Sequence, residues 1–193
     1  YARIVNKMRV ELNERLKQLP DLSFLPETVI VSEAIDDPVR YGREKRDEIA
    51  RLIDIADLQL SSFTDASSRL ERLLDSTNPW ERYWALIVLS RFGPEAADLV
   101  DDVQHRIDQE QAPLIRARAY EFLSLAAAKD VRQEMQDLID QSSDTMELLE
   151  ILNIATHMHE TVGYTFGLPD TDEMTDVRDV KYWFDSRKAY LSE

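Results

Sequence analysis

Three histidines and a dense set of carboxylates are the side chains in this sequence able to do chemistry, and their spacing decides how far they go. His157 and His159 flank Met158 beside Glu160. A metal site of the zinc type wants two imidazoles at i and i+4 on one helix face, whereas positions two apart point about 200° from each other. No metal site is expected there. His105 stands among Asp101, Asp102 and Asp108 and reads as part of a solvated face. Asp170 and Asp172 have the spacing that opens a calcium loop, but the sixth position is not Gly and the twelfth is not Glu. With Asp36, Asp37, Glu173, Asp176 and Asp179 they read as acidic surface. No Ser sits in a nucleophile-elbow sequence and no Gly-rich loop could cradle a phosphate. Cysteine is absent, which removes disulfides, thiolate nucleophiles, iron–sulfur clusters and Cys-based zinc sites together. No catalytic, cofactor-binding or metal-ligating residue is assigned, and no cofactor is expected in this chain. Trp80, Tyr83 and Trp84 form an aromatic cluster that could stack on a sugar or dock a partner; packing against the preceding helices is the expectation.

The frame for these residues is a chain of 193 residues with 23 basic and 38 acidic side chains, a formal net charge of −15 and 44% hydrophobic content. That is a soluble, globular composition, of a length for one comfortable domain. So large a negative excess opposes binding to a phosphate backbone, so nucleic acid and anionic membrane surfaces are poor partners. No apolar run approaches the roughly 18 residues that cross a bilayer, and Tyr1 opens an amphipathic segment rather than a leader peptide. The charge is uneven. Residues 1 to 100 carry 14 basic and 18 acidic groups, residues 101 to 193 carry 9 and 20, and the N-terminal half is expected to face a partner.

Only four glycines occur, and 3.6-residue periodicity recurs, so the chain reads as all-α. Ala2 to Leu19 places Ile4, Val5, Met8, Leu12, Arg15, Leu16 and Leu19 on one stripe, ended by Pro20. Asp21 to Gly42 reads as an irregular loop, with a possible short strand in the run Thr28, Val29, Ile30, Val31. Periodicity resumes at about Glu44 with Ile49, Leu52, Ile53, Ala56 and Leu60, and a shorter helix follows Asp65 as N-cap. Asn78 and Pro79 open a helix that Gly93 closes. Pro94 opens one to about Ile107, Pro113 one to about Ala127, Asp130 caps one to Ile139, and Asp144 caps one to His159. A last amphipathic helix is expected from Asp176 to Tyr190, using Val177, Val180, Trp183, Phe184 and Tyr190 and packing back as a cap.

A repeat runs through these helices. Shifting Pro79 by 34 residues onto Pro113 also superposes Arg82 on Arg116, Ala85 on Ala119, Leu89 on Leu123 and Ser90 on Ser124. A fainter third copy at a shift near 32 places Asn153 under Glu121 and Ile154 under Phe122. Helix-pair repeats of this length predict an α-solenoid. The Trp, Leu-Gly and Tyr pattern of tetratricopeptide repeats is not met; a Pro-initiated helix with an early Arg and small and Leu central positions resembles HEAT repeats. The expected organisation is an N-terminal helix and irregular loop over 1–43, a HEAT-like array over 44–160, and a loop with a capping helix over 161–193.

Two motifs carry a more particular likeness. Tyr1 and Ala2, then Met8, Arg9 and Leu12, lead to Asp21, Leu22, Ser23, Phe24, Leu25, Pro26 and Glu27, and Pro79, Arg82, Tyr83, Trp84 and Ala85 follow downstream. The first motif resembles the end of the catalytic region in bacterial sulfatases related to heparan N-sulfatase and arylsulfatases, with Ser23 in place of a Gly; the second resembles the HEAT-like appendage that follows it. The resemblance implies a sulfatase that hydrolyses sulfate esters or sulfamates with a formylglycine and a calcium ion. Both would belong to a catalytic domain upstream of Tyr1, because this chain has no Cys/Ser-x-Pro-x-Arg motif. It further implies a non-catalytic accessory domain in a periplasmic or secreted enzyme, whose partner is the catalytic domain in cis, with another subunit as a further possibility. Ala2 to Leu19 and Leu22 to Ser32 would brace that domain or shape its substrate cleft. Direct binding of a sulfated glycan is not expected of so acidic an array. The alternative is a freestanding HEAT-type interaction module, which predicts a hydrophilic, self-sufficient first helix.

Overall fold

The computed structural model describes residues 1–169 and 181–192. Among the described residues the chain is helical, with no strand. The helices are α1 (Ala2–Gln18), α2 (Glu27–Val29, continued by a π turn over Ile30–Ala34), α3 (Pro38–Glu44), α4 (Arg46–Ala56), α5 (Phe63–Leu73) and α6 (Pro79–Phe92). They continue with α7 (Val100–Ile107), α8 (Pro113–Ala127), α9 (Arg132–Gln141), α10 (Thr145–Val162) and α11 (Lys181–Leu191). Turns of 3₁₀ helix at Asp57–Leu60 and Gly93–Leu99 lead out of α4 and into α7.

Local signals set most boundaries. The Asn78 side chain accepts from the Trp80 and Glu81 amides at 2.8 and 3.4 Å, Pro79 fills the first turn where no donor is needed, and Gly93 closes α6 at φ +55°. Asp144 caps α10 by accepting from the Glu147 amide at 2.8 Å, and Gly163 ends it at φ +73°. The cap of α5 is Ser62, which accepts from the Asp65 amide; the expected capping residue, Asp65, instead lies in the first turn and accepts from the Ser62 hydroxyl at 2.6 Å. Asp130 likewise stands one residue before the cap of α9, which is Val131, and is bound by Arg132.

Packing follows an alternating order. The row α4, α6, α8, α10 runs through the molecule with each member against the next, α1 adds to the α4 end and α11 to the α10 end. The shorter helices flank this row: α5 packs on α6, α7 on α8, and α9 on both α8 and α10. As the middle of the row, α8 is buried almost all round, through Leu114, Ile115, Ala119, Phe122, Leu123 and Ala126, whereas α4 keeps one apolar face. The described part of the expected last helix is α11, which seats Phe184 and Leu191 in the core and leaves Tyr182 and Trp183 exposed. Asp170, Asp172, Glu173, Asp176, Val177, Asp179 and Val180 lie outside the described residues.

The segment after α1 departs most from expectation. Thr28 to Val31 is helical rather than extended, because tertiary contacts outweigh the strand preference of its β-branched residues. Leu25 and Val29 are buried with Ile49, Leu52, Ile53 and Ile55 of α4, and α2 also reaches α10, more than a hundred residues away in sequence.

Candidate functional site

The face shared by α6, α8 and α10 gathers the polar chemistry of the molecule. Among its apolar residues α8 buries two polar ones, Ser124 and Glu121, each 2% exposed. A buried carboxylate is tolerated only with partners, and Glu121 has two. His157 Nδ1 of α10 lies 2.6 Å from Oε1, and Arg118 Nη1 donates to Oε2 at 2.9 Å. Arg118 also donates through Nη2 to the Tyr83 hydroxyl at 3.1 Å, with its guanidinium over the Tyr83 ring at 5.2 Å. The three helices are thus tied by one chain of side chains, Tyr83 to Arg118 to Glu121 to His157.

The electrostatics agree across the pair. Burial works against ionising Glu121, but the hydrogen bond from His157 and the charge and hydrogen bond of Arg118 outweigh it, and the carboxyl lies below its ordinary value. The same hydrogen bond raises His157 above the usual imidazole range, against some desolvation. Burial raises the Tyr83 hydroxyl, partly countered by Arg118.

Two clefts open on this face and share Ile87 and Arg118. One, of about 440 Å³, lies between Phe24, Pro26, Trp84, Glu150 and Asn153. The other, of about 390 Å³, is bounded by Ser90, Arg91, Leu125, His157 and Thr161. The first is roofed by the chain's own N-terminal segment. Trp84 Nε1 donates to the Phe24 carbonyl at 2.7 Å, and the Phe24 and Trp84 rings lie 5.2 Å apart. Glu150 of α10 accepts from the Glu27 amide at 2.8 Å, the Thr28 amide at 3.2 Å and the Thr28 hydroxyl at 2.8 Å. Pro26, at the N-cap of α2, has no capping side chain, so a carboxylate from the far end of the sequence caps that helix. The stretch Leu22 to Ser32, expected to pack on an upstream domain, therefore lies in large part on this chain's own helices α4, α6 and α10.

α1 shows the opposite behaviour. Its C-terminal half is held to α4 by Leu16 and by Lys17 with Asp54, and to the turn after α4 by Asn13 with Asp57. Of the stripe read from the sequence, Ile4, Val5, Met8, Leu12 and Leu19 stay exposed, four of them by more than half. The segment to Leu19 carries five basic and two acidic side chains in a chain of net charge −15.

The aromatic cluster is structural, as expected: Tyr83 is buried, and Trp80 and Trp84 pack between the two core clusters. His105 is exposed beside Gln109, and His159 binds the Tyr164 carbonyl and meets the Tyr190 ring edge-on. Among the described residues no group of three metal-ligating side chains gathers, and no helix is long and apolar enough to cross a membrane. Sequence reading missed the Arg118, Glu121 and His157 cluster. Its one visible signal was Glu121 itself, an acid in the apolar run Ala119 to Ala127. No protein-family model, no curated protein and no solved structure matches the chain.

Proposed function

We propose that this chain is a HEAT-like helical array serving as the non-catalytic accessory domain of a sulfatase, braced against the catalytic domain through α1. The row α4, α6, α8, α10 with its flanking shorter helices is the arrangement that helix-pair repeats produce. The ion pair of Arg51 with Glu81 links α4 to α6, and that of Arg82 with Glu110 joins the start of α6 to the end of the unit it opens. The observation that carries the functional reading is the exposed stripe Ile4, Met8 and Leu12 on a helix whose other end is anchored. A contiguous apolar helix face on an otherwise acidic molecule needs a partner, and a hydrophilic first helix, which the freestanding module predicts, is not what this stripe offers. Calcium and formylglycine belong to the catalytic domain in this reading, and the array supplies neither.

The test uses the chain with its natural upstream sequence. That sequence should hold a Cys/Ser-x-Pro-x-Arg motif, and the whole protein should hydrolyse an aryl sulfate. Replacing Met8 and Leu12 together by Glu should lower that activity or free the array to limited proteolysis, while leaving the isolated chain's melting temperature unchanged. An upstream sequence without the motif removes the sulfatase reading and leaves the interaction module.

A further inference from the structure

The second cleft, between α6, α8 and α10, is locally cationic in a chain of net charge −15. Arg91, Arg118 and His157 line it, and the single acid among its lining residues, Glu121, has both oxygens engaged by His157 and Arg118. Because His157 Nδ1 is bound to Glu121, the other ring nitrogen is the one left for a ligand. Arg91 is exposed and makes no hydrogen bond or ion pair among the described residues. Two enclosed donors at the wall, Arg118 Nε and Ser90 Oγ, have no hydrogen-bond partner. Ile87 and Leu125 give the cleft an apolar side, and a volume of about 390 Å³ lies in the range of small-molecule pockets.

We propose that this cleft binds a small organic anion, held through a carboxylate or sulfate group by Arg91 and His157 with its body against Ile87 and Leu125. A buried Arg–carboxylate pair is a poor device for stability alone, since apolar side chains of the same volume do as well. Here Glu121 fixes the rotamers of Arg118 and His157 at the cleft wall, which makes it a positioning residue. Ser90 reaches the ligand oxygen by a rotamer change that also ends its own lack of a partner. The acidity of the chain as a whole argues against long polyanions, whose charges would meet the surrounding carboxylates, but not against one anionic group in this cleft. The inference rests on the cleft alone and is independent of the accessory-domain reading.

The experiment titrates the full chain, at constant ionic strength with chloride as reference, against methyl sulfate, inorganic sulfate and acetate, following the imidazole C–H signals of its three histidines by NMR. Assignment comes from His157→Gln. The expected result is a saturable shift at His157, none at His105, and a Kd raised at least five-fold by Arg91→Gln, an exposed position whose replacement keeps the circular dichroism spectrum. The anion that saturates identifies the group recognised. Shifts that never saturate, that appear equally at His105, or that persist unchanged in Arg91→Gln overturn the proposal.

Discussion

Glu150→Ala tests the long-range contact on which the N-terminal half depends. The Glu150 carboxylate accepts three hydrogen bonds from Glu27 and Thr28, two of them from backbone amides at the start of α2. A typical hydrogen bond contributes about 0.5 to 1.5 kcal/mol net and one to a charged group about 1.5 to 3 kcal/mol, less where water competes. The site is part exposed, so the three together stabilise by about 2 kcal/mol, the size also measured for strong helix caps. At about 2 to 4 °C per kcal/mol for a chain of this length, the melting temperature should fall by about 4 to 8 °C. The loss should be local as well as global. In Glu150→Ala the amides from Phe24 to Ala34 should exchange faster and Trp84 should become more accessible to a fluorescence quencher, because the Phe24 carbonyl that receives its indole N–H is released. Thr28→Val removes one of the three donors and should cost about a third as much, and the double variant should fall short of the sum. A melting temperature within 1 °C of the parent chain, with unchanged exchange over Phe24 to Ala34, would refute the docking of this segment on α10.

Three further outcomes follow from the same structure. Glu121→Ala leaves Arg118 and His157 without their shared partner and should destabilise by about 3 to 5 kcal/mol, whereas His157→Gln, at a half-exposed ring, should cost about 1 kcal/mol; thermal melts rank the two. The pair also sets a pH window. Glu121 is depressed when folded, so its share of stability is present above the ordinary value of 4.5 and is lost as pH falls through the folded value. His157 is raised, so its share is complete below 6.5 and is lost as pH rises through the folded value. Denaturant titrations from pH 4 to pH 9 should show that alkaline decline, and His157→Gln should flatten it. Ala128 ends α8 at φ +49°, a left-handed conformation that disfavours a Cβ by about 1 to 2 kcal/mol. Ala128→Gly relieves this against about 0.5 to 1 kcal/mol of added chain entropy in the unfolded state, so the melting temperature should rise by 1 to 2 °C; a fall would mean the backbone there is not left-handed.

What the sequence determines by itself is the helical inventory. Helix periodicity and caps are local, so Asn78, Pro79, Gly93, Pro113 and Asp144 place the ends of α6, α8 and α10 to within a few residues. The apolar stripe of α1 and the structural role of Tyr83 and Trp84 are legible for the same reason, since side chains three and four apart share a face. What the tertiary structure alone decides are the contacts with long sequence separation. Thr28 to Val31 reads as part of a loop with a possible short strand until Glu150, 122 residues on from Thr28, caps the Glu27 and Thr28 amides and Val29 finds α4. From the sequence His157 reads only as one of two histidines beside Glu160 that hold no metal, until the stacking of α8 on α10 brings it to Glu121, 36 residues back. Neither partner leaves a mark near the residue it acts on, because burial and hydrogen bonding are properties of the packed interface and not of the chain's local pattern. The same holds for the free face of α1: periodicity shows that the stripe exists, and only the packed molecule shows that nothing in the described chain covers it.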